Sequence, residues 1–200
     1  MNIKRHLCLI LGIALSIGTF AQNAKTVLDK CAKQLTIKSG ASANFSVSGG
    51  SEGNTSGTIL LKDKKFKVTT PEMTVWFDGK TQWSYMKSTN EVNISTPNES
   101  QRMSINPYSF LTLYKSGYNM SMKTVNNGYE VHLKAIHPAR SMQEFYVTVS
   151  KSYVLQKIKM LQGKQWLTIN VSNIKAAKQP DNTFTFNKNQ YSSAEIVDLR

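Results

Sequence analysis

Apolar and polar residues alternate along most of the chain from Ala41 to Val171. Alternation at period two is typical of β-strands that bury one face. Turn signals such as Gly49-Gly50 and Asn126-Asn127-Gly128 separate these stretches. The pattern predicts about ten or eleven strands, joined mainly by hairpins into an antiparallel meander. The alternating apolar positions are Phe45 and Val47; Ile59 and Leu61; Phe66 and Val68; Met73, Val75 and Phe77; Trp83 and Tyr85; Val92 and Ile94; Tyr118, Met120 and Met122; Tyr129, Val131 and Leu133; Phe145, Val147 and Val149; Ile158 and Met160; Leu167, Ile169 and Val171.

One hairpin, residues 73–86 (MTVWFDGKTQWSYM), has the strongest turn signal. Asp78-Gly79 favours a type I′ turn, which needs positive φ at both central positions. We expect the flanking strands to share one apolar face, made of Met73, Val75, Phe77, Trp83 and Tyr85.

Two stretches have helical spacing instead. Residues 23–37 predict a helix of about four turns with one apolar face, and Ser39-Gly40 ends it with a glycine signal. That face carries Ala24, Val27, Leu28, Cys31 and Leu35. Asn106-Pro107 begins a second short helix, with asparagine at the N-cap and proline in the first turn, and Gly117 ends it.

A sheet with this many strands curls because its strands twist, and its inner face must be covered. Only two short amphipathic helices are predicted to cover it. Either the sheet closes on its own side chains, or the helices plug a partly open barrel and leave an apolar cavity.

The N-terminus predicts export. Residues 1–21 hold basic Lys4 and Arg5, then a short apolar run, then Thr19-Phe20-Ala21 with small residues at the cleavage site. The run is too short to span a membrane comfortably. We predict a signal peptide cleaved after Ala21 and a single domain over residues 22–200. Cys31 is then the only mature cysteine, and its place on an apolar helix face predicts a buried thiol.

Charge and motifs exclude several functions. The chain is basic, with a formal net charge of +13, but its lysines alternate with other residues and no nucleic-acid motif is present. The solvated outer face of a sheet explains this charge, and attraction to anionic lipid is the functional alternative. His132 and His137 have no ligand set at metal-binding spacing. We therefore expect no metal, no cofactor, no nucleic-acid partner and no enzymatic activity.

Several motifs occur in the order of a known family. Phe77-Asp78-Gly79-Lys80-Thr81-Gln82-Trp83-Ser84-Tyr85 resembles the family motif Ser/Phe-Asp-Gly-Lys-Thr-x-Trp-x-Tyr. Asn106-Pro107-Tyr108-Ser109-Phe110-Leu111 stands where the family has its second helix. Gln143-Glu144-Phe145-Tyr146-Val147-Thr148-Val149 and Phe184-Thr185-Phe186 resemble later elements. With these motifs the mature chain resembles the LolA-like carriers of outer-membrane lipoproteins.

The resemblance implies an incomplete antiparallel β-barrel of about eleven strands, with short helices forming a lid over an apolar cavity that holds acyl chains. In the family an arginine-proline pair fastens the lid. This chain instead has Lys62-Asp63-Lys64-Lys65-Phe66, so Asp63 or Lys64 could replace the arginine only through a different bonding pattern.

Our leading hypothesis is a monomeric periplasmic carrier that binds lipoprotein acyl chains and transfers them towards the outer membrane. The resemblance adds an inner-membrane release complex and an outer-membrane acceptor as partners. The alternatives are a carrier or sensor of another amphiphile, such as a glycolipid or phospholipid, and a protein-interaction module without lipid. The expected lid residues are Val27, Leu28, Cys31, Leu35, Phe110 and Leu111; the expected cavity residues are Val75, Phe77, Trp83, Tyr85, Val92, Ile94, Met120, Met122, Val131 and Leu133.

Overall fold

The computed structural model describes residues 23–34, 39–50, 53–97, 113–140 and 142–200. Within these residues the protein has one α-helix of more than one turn, α1 (residues 23–34), and one β-sheet. The strands are β1 Ala41–Gly49, β2 Thr55–Lys62, β3 Lys65–Thr69, β4 Met73–Phe77, β5 Gln82–Met86, β6 Glu91–Ser95, β7 Tyr118–Val125, β8 Gly128–Ala135, β9 Glu144–Ser150, β10 Leu155–Gln162, β11 Gln165–Ala176 and β12 Glu195–Asp198.

The sheet is open and nearly all antiparallel. Its strand order is β12-β6-β5-β4-β3-β2-β1-β11-β10-β9-β8-β7, so β12 and β7 form the two edges. Two meanders, β1 to β6 and β7 to β11, meet where β1 pairs with β11. The predicted fold class, an incomplete antiparallel β-barrel of about eleven strands, is confirmed, and a strand is present at each of the alternating stretches of the sequence.

The twelfth strand, β12, was not predicted from the sequence. Glu195–Asp198 pairs with β6 in the parallel direction, with Ile196 opposite Val92. Its two apolar residues, Ile196 and Val197, are adjacent rather than alternating, so period two gives no signal. The C-terminus thereby covers the β6 edge of the sheet.

The loop between β4 and β5 differs from the predicted type I′ turn. Phe77 pairs with Gln82, which leaves a four-residue loop, and Gly79 alone in that loop has positive φ (105°). The Asp78 carboxylate closes the loop by accepting hydrogen bonds from the backbone N–H groups of Lys80 (2.9 Å) and Thr81 (2.8 Å). A side-chain turn at the aspartate thus replaces the two-residue turn.

Both faces of the sheet are packed against other segments. The inner face is the one that forms a continuous buried core with α1 and with Leu113 and Tyr114. The outer face is the opposite one, and over β3 and β4 it contacts the C-terminal segment, residues 177–194. This segment contains two short 3₁₀ turns, Asp181–Phe184 and Lys188–Tyr191, and the side chain of Phe184 is completely buried.

Candidate functional site

The inner face provides a continuous apolar wall. Cross-strand neighbours place successive apolar pairs side by side, because directly opposed residues of antiparallel strands share a face. Val131 lies opposite Val147, and Leu133 lies opposite Phe145. The pairing continues through β10 and β11 to β1, where Ile169 lies opposite Val47. The wall therefore extends across the central seam of the sheet.

Six of the ten expected cavity residues belong to this wall. Val75, Phe77, Val131 and Leu133 are buried in the inner core, and Phe77 stacks on Phe66 with ring centroids 5.1 Å apart. The partly buried side chains of Met120 and Met122 pack against the same core. The structure therefore brings these residues to one face, as expected, and their role in binding remains a prediction.

The placement of Trp83, Tyr85, Val92 and Ile94 on the same face is wrong. Val75 lies opposite Ser84, whereas Trp83 lies opposite Trp76. A hairpin loop with an even number of residues pairs odd positions with even ones, so odd-numbered apolar residues on the two strands face opposite sides. Val92 pairs with Tyr85, and Ile94 pairs with Trp83, so these two residues of β6 also lie on the outer face.

These displaced residues belong to a second apolar cluster on the outer face. Trp76 contacts Phe186 and Tyr191 of the C-terminal segment, with ring centroids 5.6 and 5.5 Å away. Tyr85 contacts Tyr191 at 4.6 Å, and Val92 beside it is fully buried. The apolar side of the sheet thus changes from the inner face to the outer face between β4 and β5.

Three expected lid residues cover the inner face. Val27, Leu28 and Cys31 lie on the buried side of α1 and pack into the inner core. Burial raises the pKa of the Cys31 thiol to about 12, so the thiol is protonated and behaves as a small apolar group. Leu35, Phe110 and Leu111 lie outside the described residues. Leu113 and Tyr114, which were not among the expected lid residues, are buried beside α1.

Polar side chains fasten the exposed side of α1 to the sheet. Lys30 Nζ donates to the Tyr153 hydroxyl at 3.2 Å and lies 4.5 Å from the centre of that ring. Gln34 Nε2 donates to the carbonyl oxygen of Ser152 at 3.2 Å. Both partners belong to the turn between β9 and β10. Exposed contacts of this kind contribute little energy each, so they orient the helix on the sheet but add little to its stability there.

A stronger contact joins α1 to the chain after residue 112. The Tyr114 hydroxyl donates to Asp29 Oδ1 at 2.6 Å, and Lys25 donates to Asp29 Oδ2 at 2.8 Å. The hydrogen bonds from Lys25 and Tyr114 lower the pKa of Asp29. Burial, and then the bond to Asp29, raise the pKa of Tyr114. The pair is therefore an ionised carboxylate that accepts from a neutral phenol.

The lysine stretch from Lys62 to Lys65, which stands in place of the family arginine, contacts the C-terminal segment. Lys62 Nζ donates to Asp181 Oδ1 and to the carbonyl oxygen of Gln179, both at 2.9 Å. Lys65 Nζ lies 3.4 Å from the same Asp181 oxygen. Asp63 and Lys64 are exposed in the turn between β2 and β3. This stretch therefore holds the C-terminal segment, whereas Tyr114 donates to Asp29 of α1.

His132 is not the isolated surface histidine that the sequence suggested. It lies on the outer face, stacks on Tyr146 at 4.4 Å, and its Nε2 is 2.8 Å from Glu144 Oε1. Partial burial acts to raise the pKa of Glu144, but the hydrogen bonds from His132 and Tyr146 outweigh it and lower that pKa. No group of three or more potential metal ligands occurs among the described residues. No helix in the described ranges is long and apolar enough to cross a membrane.

Comparison with known families assigns the chain to a class of carriers. The family model described as "Outer membrane lipoprotein carrier protein LolA" matches residues 16–164. This match spans more than half of the chain, so the protein belongs to the LolA family of lipoprotein carriers. Strand β11, the C-terminal segment and β12 lie beyond the matched residues. A search of curated proteins finds no sequence match.

Solved structures are similar to this chain at low sequence identity, and the first of those described here shares its fold. An uncharacterised conserved protein from Thermus thermophilus is 15% identical, with a TM-score of 0.59 over 88% of this chain and 99% of that one. A LolA superfamily protein from Nitrosomonas europaea is 12% identical, with a TM-score of 0.47 over 82% and 97%. A putative outer membrane lipoprotein-sorting protein domain from Vibrio parahaemolyticus is 10% identical, with a TM-score of 0.47 over 84% and 99%.

Proposed function

We propose that the protein is a non-enzymatic carrier that binds acyl chains of lipoproteins between α1 and the inner face of the sheet. The observation that carries this proposal is the apolar wall around Val131 and Leu133, covered by the buried side of a short helix. Because α1 is a separate segment packed on this wall, it can move away while the sheet keeps its strand pairing. Membership of a carrier family supports the same function.

The energies of lid and cargo are of comparable size. Burial supplies about 0.8 kcal/mol per CH₂, so a sixteen-carbon chain gains roughly 12 kcal/mol before any cost. Displacing α1 from the wall removes the burial of Val27 and Leu28 alone, which amounts to about 3–6 kcal/mol. Further costs come from Cys31, from the Tyr114 hydrogen bond and from immobilising the cargo. The net gain on binding is therefore small enough for cargo to replace α1 on the apolar wall and still be released.

We further propose that the carrier works in the periplasm, after cleavage of a signal peptide behind Ala21. The predicted cleavage site and the family match support this location. On this route an inner-membrane complex releases the lipoprotein to the carrier, and an outer-membrane acceptor receives it. N-terminal sequencing of the purified protein should find Gln22 first.

The direct test is cargo analysis. We expect organic extracts of protein purified from the periplasm to contain acylated peptides by mass spectrometry. Free glycolipid or phospholipid would instead support the alternative amphiphile, and an extract free of lipid, together with no binding of added lipopeptide, would contradict the carrier.

A lid variant tests where the cargo binds. Leu28→Glu puts a charge on the buried side of α1, which costs several kcal/mol in the closed state and should open the lid. We expect stronger binding of a hydrophobic dye, and competition between dye and lipopeptide. Lys33→Glu, on the exposed side of the same helix, is the matched control and should leave dye binding unchanged. Circular dichroism verifies that both variants keep the sheet.

A further inference from the structure

The inner face becomes polar where it reaches β5 and β6. Continuing the register from Phe77 and Val75, the side chains on the inner face are Gln82 and Ser84 in β5. Their neighbours on β6 are Ser95 and Asn93. Since Trp83, Tyr85, Val92 and Ile94 face outward, the polar residues between them face the side on which α1 packs, and Met86 at the end of β5 shares that side. The apolar wall thus ends in a row of neutral hydrogen-bonding groups.

Gln82 has an unused polar atom. Its side chain is only 7% exposed, and Nε2 donates to Ser84 Oγ at 3.1 Å, but Oε1 has no hydrogen-bond partner. Two other buried oxygens without a partner, Ser42 Oγ and Thr148 Oγ1, are hydroxyls on half-buried residues. A buried amide oxygen without a partner costs about 1–3 kcal/mol, so a ligand that donates to it is favoured.

The charge next to Asn93, at the end of the row away from Gln82, indicates what kind of group fits there. Asn93 Nδ2 donates to Glu91 Oε1 at 2.6 Å on the same face of β6. Glu195 of β12 lies next to Glu91 in register. Two carboxylates at this end of the inner face repel an anionic group. A neutral donor, such as a hydroxyl or an amide N–H, has no such penalty.

We propose that the row Gln82, Ser84 and Asn93 binds the polar junction of the cargo, a neutral hydroxyl or amide group adjoining the acyl chain. This inference rests on the proposed carrier function, because the acyl chain has to lie on the apolar wall next to β4. Phe77 and Val75, opposite Gln82 and Ser84, bring the apolar and polar parts of the wall into contact. The junction then donates to Gln82 Oε1, while its carbonyl or hydroxyl oxygen accepts from Ser84 or Asn93.

The test compares ligands that differ only at the junction. N-Methylpalmitamide has an N–H group where methyl palmitate has an ester oxygen, and hexadecanol is compared with hexadecyl methyl ether. An amide or alcohol is better solvated by water, so a purely apolar site favours the ester and the ether. We expect the wild-type protein to prefer the donor in both pairs, measured by displacement of an uncharged hydrophobic fluorescent dye. Palmitate, which is anionic, should bind more weakly than N-methylpalmitamide.

Gln82→Met removes the amide at nearly constant volume. We expect the preference for the donor ligand to fall by about 2- to 10-fold, the value of one neutral hydrogen bond. Binding of methyl palmitate should be kept or improved, and the urea midpoint of the free protein should not fall. Gln165→Met, at an exposed position of β11, is the matched control and should leave the ligand preference as in the wild type.

Each outcome decides between the two proposals. No preference for the donor in the wild type, or a preference that survives Gln82→Met, overturns the junction site but leaves the carrier intact. Tighter binding of palmitate overturns it as well. If none of the sixteen-carbon ligands binds, the carrier proposal itself fails. Should Gln82→Met not fold, the two ligand pairs on the wild-type protein still test the inference.

Discussion

The hydrogen bond from Tyr114 to Asp29 should control how often the lid opens. Tyr114→Phe removes only the hydroxyl and keeps the ring, which is 1% exposed in the inner core. A hydrogen bond to a charged acceptor contributes about 1.5–3 kcal/mol. Because the Asp29 side chain is 46% exposed and keeps Lys25 as a partner, we expect a value around or just below the lower end of that range, about 1–2 kcal/mol.

This energy should appear in both hydrogen exchange and binding. A loss of 1–2 kcal/mol corresponds to a factor of about 5–30 in an equilibrium constant. Amide exchange in residues 23–34, measured by mass spectrometry, should therefore accelerate by about that factor. If cargo binds only when α1 has moved, its apparent affinity should rise by a similar factor, since the binding-competent state becomes more populated.

Tyr118→Phe is the matched control. Tyr118 is also a buried tyrosine of the inner core, but its hydroxyl donates to the carbonyl oxygen of Met142 at 2.9 Å. We expect a comparable loss in the free energy of unfolding, about 1 kcal/mol, without faster exchange in α1. If exchange in α1 is the same in the Tyr114 and Tyr118 variants, the hydrogen bond to Asp29 does not hold the lid and the reasoning is refuted.

The same pair predicts a pH dependence. The pKa of Asp29 in the folded protein lies below its usual 3.8, so the stabilisation is present above that value and is lost as the pH falls through the lowered pKa. The pKa of Tyr114 lies above its usual 10, so its contribution is present below pH 10 and is lost at higher pH. Urea unfolding below pH 4 and above pH 10 should therefore depend less on pH in Tyr114→Phe than in the wild type.

Three further predictions concern other parts of the molecule. Phe184→Ala should lower the free energy of unfolding, measured in urea, by about 3–5 kcal/mol, because loss of the fully buried ring leaves a cavity under the C-terminal segment. Its control is Ile136→Ala, at a side chain 63% exposed, which should change the free energy of unfolding by less than about 0.5 kcal/mol. The Cys31 thiol should resist maleimide at pH 8 and react faster once lipopeptide displaces α1; a rate unchanged by saturating lipopeptide would contradict lid movement. Trp83, with the other two tryptophans replaced by phenylalanine, should keep its fluorescence when cargo binds, and a large spectral shift would place cargo on the outer face.

The alternation along the sequence predicted the strands well but not the side each one buries. Period two is a local signal, so every strand up to β11 could be located from its own residues. Which face points inward depends on the number of residues in the preceding loop. The loop Asp78 to Thr81 has an even number, and this decides that Trp83 and Tyr85 face outward. An even number of loop residues is therefore enough to indicate that the apolar residues of β5 face the side opposite to Val75 and Phe77.

Contacts between distant segments could not be predicted from the sequence in the same way. Tyr114 and Asp29 have no shared pattern, although they form the closest described link between α1 and the chain after residue 112. Phe186 and Tyr191 gave no strand or helix signal, because they cover the outer face at Trp76 and Tyr85, which lie about 100 residues earlier in the chain. In the sequence Gln82 is an ordinary polar position of an alternating strand, and only its burial in the structure distinguishes it from the other polar residues there.

The seam between β1 and β11 determines the order in which this chain can acquire a stable structure. It pairs Ala41 with Ala176 and Gly49 with Leu167, so the centre of the sheet forms only after a very long loop has closed. Contacts of such sequence separation slow folding. While the chain is being synthesised, β1 has an unpaired edge and Trp76 lacks the rings that cover it. A nascent or truncated chain ending before residue 165 therefore exposes a strand edge and an aromatic face together, which makes it prone to aggregate.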